Sequence, residues 1–78
     1  MTAIAARVRN VVAQVLKVDA ARVTDDARFV EELGASSLQS IELVAAFEEE
    51  FDIEMDERGA LGVKDVGGAM AFIAPYVA

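Results

Sequence analysis

The stretch LGASSLQSIELVAAFEEEF, residues 33–51, decides the fold. Leu43, Phe47 and Phe51 recur every four residues, and Val44 and Ala46 lie beside them in the sequence. Apolar residues at three- and four-residue steps share one face of an α-helix. The stretch therefore predicts a helix whose wide apolar face enters the core of the protein.

The start of this helix is marked by two serines. Ser36 and Gln39 fit the capping-box pattern S-x-x-Q, in which each side chain bonds the backbone N–H of the other residue. Ser36 is therefore the predicted N-cap. Ser37 falls in the first helical turn, directly after a loop that contains Gly34.

A second set of side chains points to the opposite side of the same helix. Three apolar residues are bordered there by four acidic ones: Leu38, Ile41, Ala45, Glu42, Glu48, Glu49 and Asp52. An apolar stripe edged by carboxylates predicts a docking surface for a basic partner with a small apolar pocket. Two alternatives stay open: the preceding loop folds back over Leu38 and Ile41, or these exposed aliphatic side chains have no role.

The rest of the chain also predicts helices. An amphipathic first helix of about four turns, with Thr2 as N-cap, is indicated by the spacing of Ile4, Val8, Val11, Val12, Val15 and Leu16. A long loop, residues 18–36, follows. It is predicted to attach to the core through Val18, Val23, Phe29 and Leu33.

Two further helices are predicted after residue 55. The segment DERGALG, residues 56–62, allows only a short helix because Gly59 and Gly62 each cost about 1 kcal/mol relative to alanine. Asp65 is positioned to cap a final helix that ends at Pro75 or continues to the end of the chain. We expect one all-α domain over residues 1–78, a four-helix bundle with a long loop between helices 1 and 2 and a short third helix.

Composition excludes most catalytic chemistry. The chain of 78 residues contains no cysteine and no histidine, so it has neither a thiolate nor the commonest general base and zinc ligand. The serines lack the closing glycine of a G-x-S-x-G nucleophile elbow, and neither lysine has a recognisable spacing to them. Asp52, Glu54 and Asp56 begin like an EF-hand loop, but Glu57 and Val63 occupy the positions that need glycine and glutamate. We predict a protein that is not an enzyme and holds no metal.

The charge is concentrated in one segment. Residues 31–57 contain ten acidic residues and no basic one, within a chain of net charge -7. This segment would repel nucleic acid and anionic lipid and attract a basic protein surface. No apolar run approaches the length of about 20 residues that spans a bilayer, and the N-terminus lacks a signal-peptide pattern. We therefore expect a cytoplasmic monomer whose partners are proteins.

Ser37 is the hydroxyl best placed to be modified. A phosphate on its side chain would lie among free backbone amides at the positive end of the helix dipole. The hydroxyl of Ser37 is thus predicted to be covalently modified by a separate enzyme. The ordinary alternative is a second capping residue or a solvated side chain.

The run FVEELGASSLQSIELVAAFEEEFDIEM, residues 29–55, resembles the acyl carrier proteins. Their pattern has an LGxDSL block, an E-L-V stretch, an acidic E-E-E-F and an I-E-I/M continuation, and the similarity extends over nearly the whole chain. The resemblance implies a four-helix bundle that carries acyl groups as thioesters on a 4'-phosphopantetheine arm. The arm would be joined by a phosphodiester to Ser37, and it would supply the thiol that this chain lacks.

The resemblance also implies partners. A separate phosphopantetheinyl transferase that uses magnesium would transfer the arm from coenzyme A. Acyl-loading and acyl-processing enzymes of fatty acid, polyketide or related specialised biosynthesis would dock through basic surfaces. Their docking surface on this chain would consist of Leu38, Ile41, Glu42, Ala45, Glu48 and Glu49. The acyl group can shelter between the helices in this family, where Ala46, Ala69 and Ala71 could leave room.

Two departures from the family pattern leave alternatives open. Ser36 replaces the aspartate that normally helps the transferase to engage, so the chain could instead be an unmodified carrier-like interaction module. Arg58 and two glycines occupy a third segment that is usually more acidic and more helical. An aminoacyl or peptidyl carrier is a further alternative, although LGA and the E-E-E-F run favour the acyl type.

Overall fold

The computed structural model describes residues 3–77 and contains four α-helices. These are α1 (Ala3–Leu16), α2 (Ser37–Phe51), α3 (Glu57–Leu61) and α4 (Val66–Val77). No β-strand occurs within residues 3–77, so the predicted all-α bundle with a long loop and a short third helix is confirmed. The predicted N-cap Thr2 lies outside the described residues.

The core is formed mainly by the apolar faces of α1, α2 and α4. Val8 and Val12 of α1 are completely buried, and so is Val66 at the start of α4. From α2, Leu43, Val44, Phe47 and Phe51 are buried, which is the face predicted from their spacing. Because each of these helices exposes its other face, the outward side of α2 remains available to solvent.

The long loop between α1 and α2 is attached to the core at more points than predicted. Val23, Phe29 and Leu33 are buried as expected, and Ala27 and Ala35 are buried as well. A short 3-10 turn, Ala20–Arg22, interrupts the loop and is capped by Asp19. The predicted attachment of the loop to the core through Val18 is weaker, because the Val18 side chain is only half-buried.

Backbone hydrogen bonds connect this loop to the segment between α3 and α4. The Phe29 N–H donates to the Lys64 carbonyl at 3.0 Å, and the Val66 N–H donates to the Ala27 carbonyl at 3.1 Å. The loop therefore holds the first turn of α4 in place. Asp65 caps that turn as predicted, since its Oδ1 accepts the Gly68 N–H at 2.7 Å.

Helix α4 continues through Pro75 to Val77. Proline removes the N–H that would bond the carbonyl four residues earlier, here that of Ala71. Ala71 is exposed, so water can bond this carbonyl in place of the missing donor. None of the helices within residues 3–77 combines the length and the apolar character needed to cross a membrane.

Candidate functional site

The first turn of α2 is fixed by the predicted capping box. The Gln39 N–H donates to Ser36 Oγ at 3.1 Å, and the Ser36 N–H donates to Gln39 Oε1 at 3.0 Å. The loop reaches this point through Gly34, whose φ of 75° lies in the left-handed region that glycine adopts readily. Ser37 thus directly follows a residue whose backbone and side chain are both hydrogen-bonded to Gln39.

Ser37 presents its hydroxyl to solvent at this helix tip. The residue is exposed, and its hydroxyl makes no hydrogen bond to any residue from 3 to 77. The N–H groups of Ser37 and Leu38 precede the first intrahelical bonds, while that of Ser40 already bonds the Ser36 carbonyl at 2.9 Å. A free hydroxyl beside unused amide donors is well suited to carry a phosphodiester.

The side of α2 that faces away from the core is open to solvent. Leu38 is 66% exposed and Ile41 is 49% exposed, so the alternative in which the long loop folds back over them is wrong. Ala45, Glu42 and Glu49 are also exposed. We call the six residues Leu38, Ile41, Glu42, Ala45, Glu48 and Glu49 the α2 strip.

An open groove adjoins the α2 strip, between α2 and the start of α3. Its lining consists of four apolar and three acidic residues: Ile41, Val44, Ala45, Met55, Glu48, Glu54 and Glu57. Glu54, Met55 and Glu57 were not among the predicted site residues. The acidic E-x-x-E spacing of Glu54 and Glu57 was visible, but only the fold shows that the chain turns back toward α2 after Phe51.

Glu48 differs from the other acidic residues of the α2 strip. It is half-buried, and its Oε2 accepts the backbone N–H of Met55 at 2.9 Å. Glu42 and Glu49 make no side-chain hydrogen bond within residues 3–77. The structure therefore gives Glu48 a function in the α2–α3 connection that the sequence did not indicate.

An apolar cavity of about 80 Å³ lies between the helices and opens to solvent at its exposed lining residues Val30, Glu31, Leu61 and Lys64. Ser40, one helical turn after Ser37, contributes to its lining, together with Leu43, Phe47, Met55, Ala69 and Phe72. Of the three alanines expected to leave room, only Ala69 lines the cavity. Ala46 is half-buried elsewhere and Ala71 is exposed, because the turn of α4 directs it outward.

Comparisons with known proteins identify the family. Residues 6–73 match the family described as "Phosphopantetheine attachment site". The chain is 46% identical over 78 residues to an acyl carrier protein of Caulobacter vibrioides, covering 100% of both chains. It is 47% identical over 73 residues to an acyl carrier protein of Phenylobacterium zucineum, covering 94% of this chain and 92% of the relative.

A solved structure agrees with these sequence matches. A protein from Mycobacterium tuberculosis, assigned as an acyl carrier protein, superposes with a TM-score of 0.85 at 28% sequence identity. The superposition covers 92% of this chain and 96% of that protein. The fold similarity thus extends over most of the chain.

Proteins of this family are carriers without catalytic activity, and they bear covalently attached 4'-phosphopantetheine. The exposed hydroxyl and unused amides at the tip of α2 fit such a group. The matched family, the full-length relatives and the superposed fold all lead to one conclusion. The chain belongs to the acyl carrier protein family.

Proposed function

We propose that Ser37 carries the 4'-phosphopantetheine arm and that this chain delivers acyl thioesters to enzymes of fatty acid, polyketide or related specialised biosynthesis. One observation carries the proposal: at the tip of a capped helix, next to the α2 strip, the Ser37 hydroxyl is exposed and makes no hydrogen bond within residues 3–77. The arm supplies the thiol to which an acyl group is joined.

Loading of the arm requires a separate phosphopantetheinyl transferase. The Ser37 Oγ forms the new phosphodiester bond, the bond between the two phosphates of coenzyme A breaks, and the adenosine bisphosphate part leaves. A base on the transferase takes the hydroxyl proton, because this chain contains no histidine. The contribution of Ser37 is the position of its oxygen, which the capped helix turn presents without a competing hydrogen bond from the described part of the chain.

The unused amides support the modified state. The N–H groups of Ser37 and Leu38 point out of the helix start, where the partial positive charge of the helix dipole favours an anionic phosphodiester. Ser36 holds this turn by its capping hydrogen bonds and brings no negative charge of its own. The fold of the attachment site is therefore retained, while the charge contact that an aspartate makes with the transferase is lost.

The α2 strip is the proposed docking surface for the transferase and for the acyl-loading and acyl-processing enzymes. Its exposed Leu38 and Ile41 fit a small apolar pocket. Basic residues around that pocket would pair with Glu42, Glu48 and Glu49. The ten acidic residues of positions 31–57 attract a basic partner toward this segment of the chain.

The cavity of about 80 Å³ offers apolar space for the first carbons of the cargo. Its lining residue Ser40 lies one turn from Ser37, within reach of a flexible arm that folds back on the protein. An acyl group is favoured over an aminoacyl or peptidyl group because the full-length relatives are acyl carrier proteins. An apolar cavity lining is consistent with that choice.

Intact-protein mass spectrometry tests the attachment. The apo protein is incubated with coenzyme A, magnesium and a broad-specificity phosphopantetheinyl transferase, and we expect a mass increase equal to one arm. Ser37→Ala is expected to abolish the increase, whereas Ser40→Ala, which alters a neighbouring serine, is expected to leave it. Absence of the increase in the wild-type chain, under conditions that modify the Caulobacter vibrioides relative, would favour the unmodified interaction module.

A further inference from the structure

We infer that Lys64 is a modification site, whose amine accepts the acyl group from a thioester held at the opening of the cavity. The products are an amide on the Lys64 side chain and a free thiol on the arm. The inference rests on the proposed function, because the arm on Ser37 must first carry the acyl thioester.

Lys64 lies where the cavity of about 80 Å³ opens to solvent. The opening is formed by the exposed apolar residues Val30 and Leu61 and by the charged residues Glu31 and Lys64. The backbone of Lys64 is held against the long loop, since its carbonyl accepts the Phe29 N–H at 3.0 Å. Among the lining residues within 3–77, Lys64 is therefore the one amine, and its position is set by the fold.

The side chain of Lys64 has no competing partner in the described part of the chain. It forms no ion pair and no hydrogen bond with any residue from 3 to 77. Glu31, the acid that shares the lining, instead lies 4.0 Å from a terminal nitrogen of Arg28. Because the lysine stem has four flexible carbons, the Lys64 amine can move across the opening.

The thioester of a short acyl group comes to the same opening. The arm is anchored outside the bundle at Ser37, so an acyl chain enters the cavity with its carbonyl end last. Ser40, one helical turn after Ser37, also lines the cavity, which is therefore within reach of a flexible arm. The carbonyl stays at the opening, where Lys64 lies, and tethering both groups to one molecule raises their effective concentration.

The transfer from sulfur to nitrogen needs no co-reactant. The neutral Lys64 Nζ attacks the thioester carbonyl carbon and forms a C–N bond. The C–S bond then breaks, and the sulfur of the arm takes the proton that the nitrogen loses. An amide is more stable than a thioester, so the acyl group stays on Lys64, which loses its positive charge.

Peptide mass spectrometry of the loaded protein tests the transfer. A broad-specificity transferase loads the chain from butanoyl-coenzyme A, and the protein is freed of coenzyme A and held at about pH 9, where more of any lysine is neutral. Hydroxylamine then removes thioesters and leaves amides. We expect a butanoyl amide at Lys64 at least about tenfold above that at Lys17, an exposed lysine outside the cavity lining. The converted fraction should not change on about tenfold dilution, because the reaction is intramolecular.

Three variants separate transfer at the opening from general acylation. Lys64→Arg keeps the positive charge and removes the amine, so the amide in this part of the chain should disappear. The matched control Lys17→Arg should convert Lys64 at the wild-type rate. Ser37→Ala cannot carry the arm; with free butanoyl-coenzyme A at the same concentration, it should form at least about tenfold less amide at Lys64.

The outcomes distinguish this inference from the proposed function. Equal acylation of Lys64 and Lys17, or a converted fraction that falls on dilution, would overturn the inference. Loss of the thioester by hydrolysis with no amide at Lys64 would also overturn it and leave attachment at Ser37 intact. If the chain gains no butanoyl arm in the loading step, both the proposed function and the transfer to Lys64 are wrong.

Discussion

Ser36 and Gln39 exchange two hydrogen bonds at the start of α2, at 3.1 Å and 3.0 Å, and these bonds fix the turn that presents Ser37. The Gln39 amide would otherwise lack an acceptor in the helix. The same pair therefore contributes to stability and to the presentation of the attachment site.

Ser36→Ala is expected to destabilise the protein by about 1 kcal/mol, the usual cost of removing an N-cap side chain. Ser36→Asp should leave the free energy of unfolding within about 0.5 kcal/mol, because aspartate caps as well as serine. It should also raise kcat/KM for the transferase by restoring the acid of the family pattern. Urea unfolding and a modification assay measure the two effects. A slower modification of Ser36→Asp would show that the missing acid does not limit recognition in this chain.

Arg7 is expected to stabilise the contact between α1 and the end of α2. Its Nε donates to Glu50 Oε2 at 2.7 Å, its terminal nitrogen donates to the Glu50 carbonyl, and its guanidinium lies 4.4 Å from the centroid of the Phe51 ring. Arg7→Ala should cost about 1 to 2 kcal/mol, since it removes a cation–π contact and packing as well as a half-exposed ion pair.

Arg9 supplies the matched control for this prediction. It forms a single ion pair with Asp25 at 2.7 Å, and the Asp25 side chain is largely exposed. Arg9→Ala should therefore cost less than about 0.5 kcal/mol. Equal losses for the two variants in urea unfolding would mean that charge alone, and not the contact with Phe51, accounts for the effect of Arg7.

The helices and the α2 strip were predictable because their signals are local. The four-residue repeat of Leu43, Phe47 and Phe51 and the pair Ser36 and Gln39 act within a few turns, so periodicity and capping rules suffice. The exposure of Ile41 follows from the same geometry, since it lies opposite that repeat.

The remainder depended on contacts between distant parts of the chain. The backbone bond from Phe29 to Lys64 joins residues whose side chains give no sign of the pairing. The hydrogen bond from the Met55 N–H to the Glu48 carboxylate gives Glu48 a structural role in addition to its place on the surface. This bond forms only because the chain reverses direction after Phe51. The cavity beside Ala69 is likewise a property of the assembled bundle.

Gly67→Ala should destabilise the protein, although helix propensity alone predicts a gain of about 1 kcal/mol from this change. The Gly67 N–H bonds the Asp25 carbonyl at 2.6 Å, and a Cβ at Gly67 would lie 3.0 Å from the same oxygen. Because this neighbour is backbone, we expect a net loss of about 1 to 3 kcal/mol.

Ala71, an exposed residue of α4, provides a control in which the substitution changes helix propensity but no packing contact. Ala71→Gly should cost about 1 kcal/mol in the same helix. Thermal or urea unfolding of both variants gives the comparison. A Gly67→Ala variant more stable than the wild type would show that the loop yields at Asp25 and does not hold α4 rigidly.

Ile41→Ser should impair docking without affecting stability. Ile41 is already 49% exposed, so the free energy of unfolding should change by no more than about 0.5 kcal/mol. If Ile41 enters a pocket of the transferase, kcat/KM for modification should fall about tenfold or more. The control Val77→Ser, at an exposed apolar residue at the end of α4, should modify at the wild-type rate. Equal modification rates for Ile41→Ser and the wild type would remove Ile41 from the docking surface.

Salt should stabilise this protein at low ionic strength. Residues 31–57 contain ten acidic residues and no basic one. Two of them, Glu42 and Glu49, lie exposed on the same face of α2, and their side chains make no hydrogen bond within residues 3–77. Raising NaCl from about 0.01 M to 0.15 M shortens the Debye length from about 30 Å to 8 Å and screens their repulsion. Tm should therefore rise over this range, and the rise should be smaller in a Glu42→Gln/Glu49→Gln double variant, as calorimetry can measure. A Tm that is independent of salt in the wild type would mean that these charges do not oppose folding, and their concentration in residues 31–57 would then matter for partners alone.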